Sequence, residues 1–577
     1  MIGPKPKLLQ HGTDHGFTFL LKDRGQVLSF SFFVIVSWIT YIFVYTHTPI
    51  TLFLHYPHDD TLYLARARDL ANWRWMGSFD QFTLMKGPGY PLFLAFVNWT
   101  GLPVSLAAAL LNCIAVTCFV AVCRRLLGSS LLSAVLFTLL LWHPYWFTYD
   151  TLRIIREMIY PAQVLLVMSL VIYTTFIGKT TALRIISAAL AGVCLGWFWL
   201  TREEGVWIIP GVAILLLAAL LRAPGKWREW AISLGVMLSI TSAVQIGFAA
   251  LNWNYYGKFV GVDFKETNYQ RALRAIHSVT PGRPYVSVTP ATLQRLYAVS
   301  PTFKSLEPYF EGFGRSWETI SCNLIPITCG GISPAWFVWA LRDAAAHKRR
   351  YKSPKDASRF FRRVADEINV ACEDGKLSCD SQWVAEMPHV TWNEIKTLPQ
   401  HYLTAFHMLL FLSPSEHIDA SVGDEEKLTS ALEFLNYPRH TRPMSTSSSV
   451  VPKANLSDKV AARMRKFVLK NYGVLMLPTL VLGILGFLLS TAFYFRTALR
   501  NCAYIVAFAC WTLVLSRISL LVLMSATSVP IQADIPLYYS AAFFMMVSAA
   551  VLSLGAFVQL SRANFRKPLS PATLIPS

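Results

Sequence analysis

The chain has 577 residues, of which 54% are hydrophobic and only 15% charged, against about 25% charged in an ordinary soluble domain. Aromatic residues reach 14%, as expected where rings sit at lipid–water boundaries. Disorder, collagen and a small disulfide scaffold are excluded, and the net charge of +19 reads as membrane topology, not as a nucleic-acid footprint.

A spanning helix needs about 20 mostly apolar residues, because the hydrocarbon layer is about 30 Å thick and each residue rises about 1.5 Å. Ten stretches qualify, at about 27–47, 104–123, 129–147, 158–178, 184–200, 206–221, 230–252, 472–492, 501–524 and 536–560. The expected fold class is therefore all-α and polytopic, with about ten transmembrane helices. The first stretch is too long for a removable signal and has no small-residue cleavage site after it, so it reads as an anchor. With residues 1–26 in the cytoplasm, short segments on that side hold 16 Lys and Arg, and the opposite short loops hold 7. That asymmetry puts the N-terminus inside, with 561–577 as a cytoplasmic tail.

The remaining pieces fall outside. Residues 27–252 form a transmembrane module with its first outer loop at 48–103. Residues 253–471 form a mainly helical extracytoplasmic domain, and 472–560 return as C-terminal transmembrane helices. Arg463, Arg465, Lys466 and Lys470, just before the eighth span, read as a basic juxtamembrane helix on an anionic lipid face. Within the outer domain, Ser353-Pro354-Lys355-Asp356 reads as an N-cap, a first-turn proline and a capping-box acid. Ala357, Phe360, Phe361, Val364, Ile368 and Ala371 follow at helical spacing, and Gly375 is the stop. The Ser-rich 442–457 reads as a flexible stretch. Asn455-Leu456-Ser457 matches a glycosylation triplet, a pattern common by chance.

Six of the ten cysteines lie in or beside spans, where a thiol behaves as a small hydrophobe. The other four fall in the outer domain, where an even count suggests two disulfides, Cys322–Cys329 and Cys372–Cys379 being the favoured pairing of three. A zinc site is the weaker reading, since the spacings are not of the short kind.

The first outer loop carries the densest chemistry. Asp59 and Asp60 open an amphipathic helix close to the bilayer surface, and Asp59, Tyr63 and Arg66 share a face at i, i+4 and i+7. Adjacent carboxylates raise one another's pKa, which suits a general base, and the two together can hold a divalent cation such as Mg or Mn. Taken alone, Asp59 reads more readily as a helix cap. About 25 residues on, Lys86-Gly87-Pro88-Gly89 forms a turn, and Arg202-Glu203 lies at an outer helix end. Arg517 lies inside the ninth span, where an arginine costs about 2.5–3.5 kcal/mol, so it must face the bundle or a wet cavity. A lipid phosphate and a paired carboxylate are both candidate partners. Arg153, Arg156 and Glu157 read as mainly structural. His143 and Pro144, among Trp142, Tyr145 and Trp146, read as an interfacial belt.

An outer Asp-Asp pair on a helix, a Lys-x-Pro turn and a following run of spans resemble the polytopic GT-C glycosyltransferases, in the branch of protein O-mannosyltransferases and lipid A aminoarabinose transferases. The likeness is strongest over 55–128 and extends to Arg202-Glu203. Lys86-Gly87-Pro88 stands where that family usually has Lys-Pro-Pro, and Ala340-Leu341-Arg342-Asp343 is similar to a segment of certain bacterial membrane proteins. The resemblance implies a polyprenyl-phosphate-linked sugar donor, an acceptor that is a glycan, lipid or protein, and inversion at the anomeric carbon. The site would face outward from a bacterial cytoplasmic membrane. It further implies Asp59 as base with Asp60 beside it, donor phosphate held by Lys86, Arg202, Arg66 and Arg517, and Tyr63 and Glu203 in support. A flippase for lipid-linked intermediates and a non-enzymatic scaffold with an outer binding domain are the alternatives. The polar residues cluster on one side of the membrane, and no repeated halves are visible, which favours the enzyme over the flippase. No motif supports nucleic-acid binding.

Overall fold

The computed structural model describes residues 14–565 except 56, 280–287, 381–391, 413–417, 419, 438–454 and 528–535. Lys5, Lys7, Arg566, Lys567 and most of the Ser-rich stretch lie outside those residues. Among the described residues, ten helices are long and apolar enough to cross a membrane: Val27–Thr46, Val104–Leu127, Ser130–Phe147, Tyr160–Ile177, Thr181–Thr201, Gly205–Arg222, Pro224–Tyr256, Leu456–Ala498, Cys502–Ala526 and Pro536–Asn564. The described residues contain no β-strand, only isolated bridges such as Phe53 to Val422. The protein is an all-α polytopic bundle.

Spans pack where small residues let backbones approach, since lipid offers no hydrophobic drive between helices. In the fifth span, Gly192 and Gly196 lie against Met237 and Val244 of the seventh. Thr241 and Gln245 of that helix donate to the carbonyls of Gly192 and Gly196, at 3.1 and 3.0 Å. A methyl group on Gly483 of the eighth span would sit 2.5 Å from the Ala550 backbone of the tenth. Phe32, Leu221, Val474 and Phe493 point outward and exposed, as lipid-facing side chains do.

The eighth helix is longer than its span. From Leu456 to the kink at the non-helical Tyr494 it rises about 57 Å, against a hydrocarbon layer of about 30 Å. The segment bearing Arg463, Arg465, Lys466 and Lys470 is thus a helical extension of the span itself.

The described residues between the seventh and eighth spans pack in two ways. Residues from Tyr269 to Leu377 build their own core around Phe337, Leu341, Phe361 and Val364. The later helices, Trp392–Leu410 and Glu425–Phe434, instead pack on the bundle core through Ala405, Leu409, Leu428 and Leu432. Tyr402 reaches Ser519 of the ninth span at 2.7 Å. In the first part, the helix Pro354–Glu373 begins as its sequence requires: Ser353 Oγ accepts from the Asp356 N–H at 3.2 Å and donates to Asp356 Oδ2 at 2.8 Å. Gly375 ends it at φ +70°. Cys322 is joined to Cys329 and Cys372 to Cys379, and the other six cysteines are free.

Connections after odd-numbered spans emerge at one end of the bundle. The first loop, the loops at 148–159 and 202–204, the inserted segment and the start of the tenth span therefore share that end.

Candidate active site

The helix Asp60–Ala71 starts one residue after Asp59, and the Asp59 side chain caps nothing. It turns instead to Lys86, whose Nζ lies 2.5 Å from Oδ1, and to Arg153, whose Nη2 lies 3.6 Å from Oδ2. The Asp59 side chain is 46% exposed although protein surrounds it, so it lines a recess. Burial would raise its pKa, but Lys86 and then Arg153 override that and hold it well below the usual carboxylate range.

Asp60 behaves oppositely. It is fully buried and receives Arg153 Nε and Nη2 on one oxygen, at 2.9 and 2.6 Å, and the Phe53 N–H on the other. Burial pushes it up to about 6 against the pull of Arg153. The carboxyl raised by its surroundings is therefore Asp60, which the enclosing protein keeps from any substrate. Asp60 fixes Arg153, and Arg153 bridges the two acids.

Lys86 is placed by its turn. A methyl group on Gly87 would meet the Leu200 carbonyl oxygen at 2.2 Å, and one on Gly89 would meet Thr201 Oγ1 at 2.4 Å. The Gly-Pro-Gly backbone thus lies directly on the end of the fifth span, a contact closed to any larger residue. Glu203 Oε1 accepts the Gly87 N–H at 2.8 Å, and Trp197 Nε1 donates to Gly89 O at 2.9 Å. Lys86 Nζ also donates to His58 O at 2.8 Å and lies 4.9 Å above the Tyr63 ring. Tyr63 is buried edge-on to Tyr90.

Glu203 continues the network to Arg156 at 2.9 Å, and Arg156 Nη2 approaches Glu204 at 3.8 Å. Arg202 is fully buried. It pairs with Glu204 at 2.6 Å and with Glu157, and it faces the rings of Tyr160 and Tyr538. Burial opposes the Glu204 carboxylate, yet Arg202 and Arg156 hold it well below its usual range. Arg517 comes to the same place from the ninth span: its Nε donates to Tyr538 O at 2.8 Å, and its guanidinium lies 5.8 Å from the Trp207 ring. Among the described residues, Arg202 Nη2 and both Nη atoms of Arg517 are buried without a hydrogen-bond partner, and no carboxylate pairs with Arg517. Buried donors of this kind are rarely left unmet.

Arg66 is not brought to the recess. The helix begins after Asp59, so the shared face ends with Tyr63, and Arg66 is drawn to Met76 O, Thr83 Oγ1 at 3.2 Å and Asp80 at 3.7 Å. It ties the loop together instead of facing a phosphate. The two acids face cations of the protein itself. Lys86 and Arg153 occupy their oxygens, and no group of three His, Cys, Asp or Glu converges among the described residues.

Three residues that the sequence did not single out complete the surroundings. Asp150 is half-buried, and burial, then Glu157, pushes it up to about 7; its only sequence signal is its place before Arg153 in the same loop. Trp339, from the helix Pro334–His347, lies tilted against His58 at 4.5 Å and 5.8 Å from Lys86. It forms a roof over Lys86 from the domain with its own core, while Tyr538 lies against Arg202. Burial, with Lys86 alongside, pushes His58 down to about 4, so its imidazole is neutral.

The likeness among solved structures is to ArnT. Two crystal structures of ArnT from Cupriavidus metallidurans, one bound to undecaprenyl phosphate and one in the apo state, are each 14% identical to this chain. The matches cover 93% and 94% of this chain and 78% and 79% of those, with TM-scores of 0.33 and 0.32. No family model and no curated protein matches the chain. Similarity of that extent leaves the reading of the site to its own geometry.

Proposed function

We propose that the protein is a membrane glycosyltransferase that moves a sugar from a polyprenyl-phosphate-linked donor to an acceptor hydroxyl on the extracytoplasmic side, with inversion. The observation that carries this reading is the pair of buried arginines with unmet donors, Arg202 and Arg517, linked through Arg156 and Glu203 to the turn that holds Lys86 against Asp59. Unmet guanidinium donors among aromatic rings, at one end of a membrane bundle, suit a phosphate arriving from the lipid. Their gathering at an end instead of at the midplane favours chemistry over transport.

The chemistry follows from the ion pairs. As the donor enters, its phosphate competes with Asp59 for Lys86, and loss of that ammonium raises the basicity of Asp59 where it is needed. The acceptor oxygen bonds to the anomeric carbon, and its proton passes to Asp59. The bond from that carbon to the phosphate oxygen breaks, and its electron pair leaves with the polyprenyl phosphate, whose growing charge Lys86, Arg202 and Arg517 stabilise. Asp60 and Arg153 keep Asp59 in register.

Asp59→Asn, assayed in membranes with a polyprenyl-phosphate sugar, is expected to abolish transfer without loss of expression. Full activity in that variant removes Asp59 as base. Lys86→Ala is expected to weaken donor use, and unchanged donor kinetics would take it out of the site.

A further inference from the structure

On the part of the inserted segment that has its own core, a cavity of about 650 Å³ opens, lined by Arg349, Arg350, Lys352, Arg359, Arg363 and Asp356. Five cations share it with one carboxylate, and that carboxylate is spent: Asp356 pairs with Arg359 at 2.5 Å and accepts from Ser353 at 2.8 Å. Thr302, also on the wall, is held by Glu367, which accepts its hydroxyl and its N–H at 2.6 and 3.0 Å. Arg350 rests over the Phe360 ring at 5.8 Å. Among the described residues, Arg349, Arg350, Lys352 and Arg363 have no ion pair.

The backbone shows that this crowding is held in place. The helix Pro334–His347 closes with Arg349 at φ +55°, a conformation that favours glycine and disfavours any side chain. The Arg349 and Arg350 N–H groups close on Ala346 O and Ala345 O at 2.7 and 2.9 Å. Tyr351 is buried the other way, against Phe79 and Arg342, so Arg349, Arg350 and Lys352 are left on the cavity side. Like charges at such separations repel, and a concave wall of one sign focuses the field on whatever enters. Guanidinium forks match phosphate oxygens in pairs, and the volume lies in the range of small-molecule sites.

We propose that this cavity is a second ligand site, taking a group that carries two or more clustered phosphates. It is separate from the Asp59 recess and does not rest on the enzymatic reading. The phosphates come either from a soluble molecule or from a phospholipid headgroup, and the two sources are separable.

The test titrates the whole chain in detergent with inorganic pyrophosphate and, separately, with water-soluble dibutanoyl phosphatidylinositol 4,5-bisphosphate, whose headgroup carries clustered phosphates, at about 50 mM and about 200 mM salt. Saturable binding that weakens with salt is expected. It should fall by at least about tenfold in the double variant Arg349→Gln/Arg363→Gln at an unchanged melting midpoint. Pyrophosphate bound more tightly assigns the site to soluble phosphates, and the bisphosphate lipid bound more tightly assigns it to a headgroup. Saturable binding of neither probe overturns the proposal, as does equal affinity in the double variant. If the double variant melts lower, the exposed Lys352→Gln is read instead: several-fold weaker binding supports the site, and wild-type affinity overturns it.

Discussion

Asp59 and Asp60 are neighbours in the chain but titrate in opposite senses, because one looks into a recess beside Lys86 and the other is sealed in with Arg153. Asp59, held low, contributes stability above the ordinary carboxyl range and loses it only in strong acid. Asp60 has the reverse sign. Its folded pKa of about 6 lies above an unfolded value of about 3.9, so its contribution is complete below about 4 and is lost as pH rises through about 6. Above that window the Arg153 pair is fully ionised. Transfer activity is therefore expected to rise with pH through about 6, and Asp60→Asn should flatten this acid limb in a pH–rate series. An unchanged limb in that variant would assign it to another group. The family resemblance placed Asp59 and Lys86 in one site, as base and phosphate holder, but their ion pair was not legible in the sequence. The division of labour between the acids was not legible, since it is set by Arg153 from 93 positions away, and helical spacing carried Arg66 onto a face that the loop 76–83 then claimed.

Helix boundaries followed the hydrophobic runs to within about six residues for nine of the spans, because about 20 apolar residues leave a chain little choice, while the eighth helix begins at Leu456, well before its run. The Ser353 cap was equally legible, being a local hydrogen-bond pattern. Ser353→Ala should cost about 1 kcal/mol, seen as a fall of a few degrees in the unfolding midpoint of the full chain. No fall would mean that Pro354 and the core hold that helix start unaided. The helices at 392–434 were missed as a bundle-packed element. Their apolar faces are too short to span, and their partners are distant in sequence: the ninth span for Trp392–Leu410, and Asn98 and the start of the second span for Glu425–Phe434. The Gly87-Pro88-Gly89 turn was seen as a turn, but its seat on the fifth span was invisible. Gly89→Ala puts a methyl 2.4 Å from Thr201 Oγ1 and 2.6 Å from the Thr201 backbone nitrogen. The turn must lift, carrying Lys86 from Asp59, and a misplacement of about 1 Å is enough to cost about a hundredfold in rate. Wild-type turnover in Gly89→Ala would show that the seat has slack.

At the scale of the whole molecule, the question is what keeps the domain with its own core over the recess. Arg342 answers much of it: fully buried, it reaches Gln81 O with Nε and Nη2 at 3.0 and 2.5 Å and pairs with Asp263 at 2.9 Å. It thereby ties the helix that carries Trp339 to the first loop. Phe79 stacking on Tyr351 at 6.0 Å and Trp339 tilted against His58 at 4.5 Å add apolar contact to the same seam. Removing one partner of a buried ion pair costs about 3–5 kcal/mol, because the other charge is stranded. Here the stranded group is Asp263, whose N–H is bonded to Leu84 O at 2.7 Å, two residues from Lys86. Arg342→Leu is therefore expected to loosen the roof locally without dissolving the spans. Limited proteolysis should cut near 78–86 and 257–268 faster than in the wild type, and turnover should fall while the bundle's melting midpoint holds. Identical cleavage and turnover would mean that the aromatic seam alone seats the domain. Arg342→Lys, which keeps the charge but loses the fork on Gln81, should fall between the two and so separate the ion pair from the carbonyl clamp.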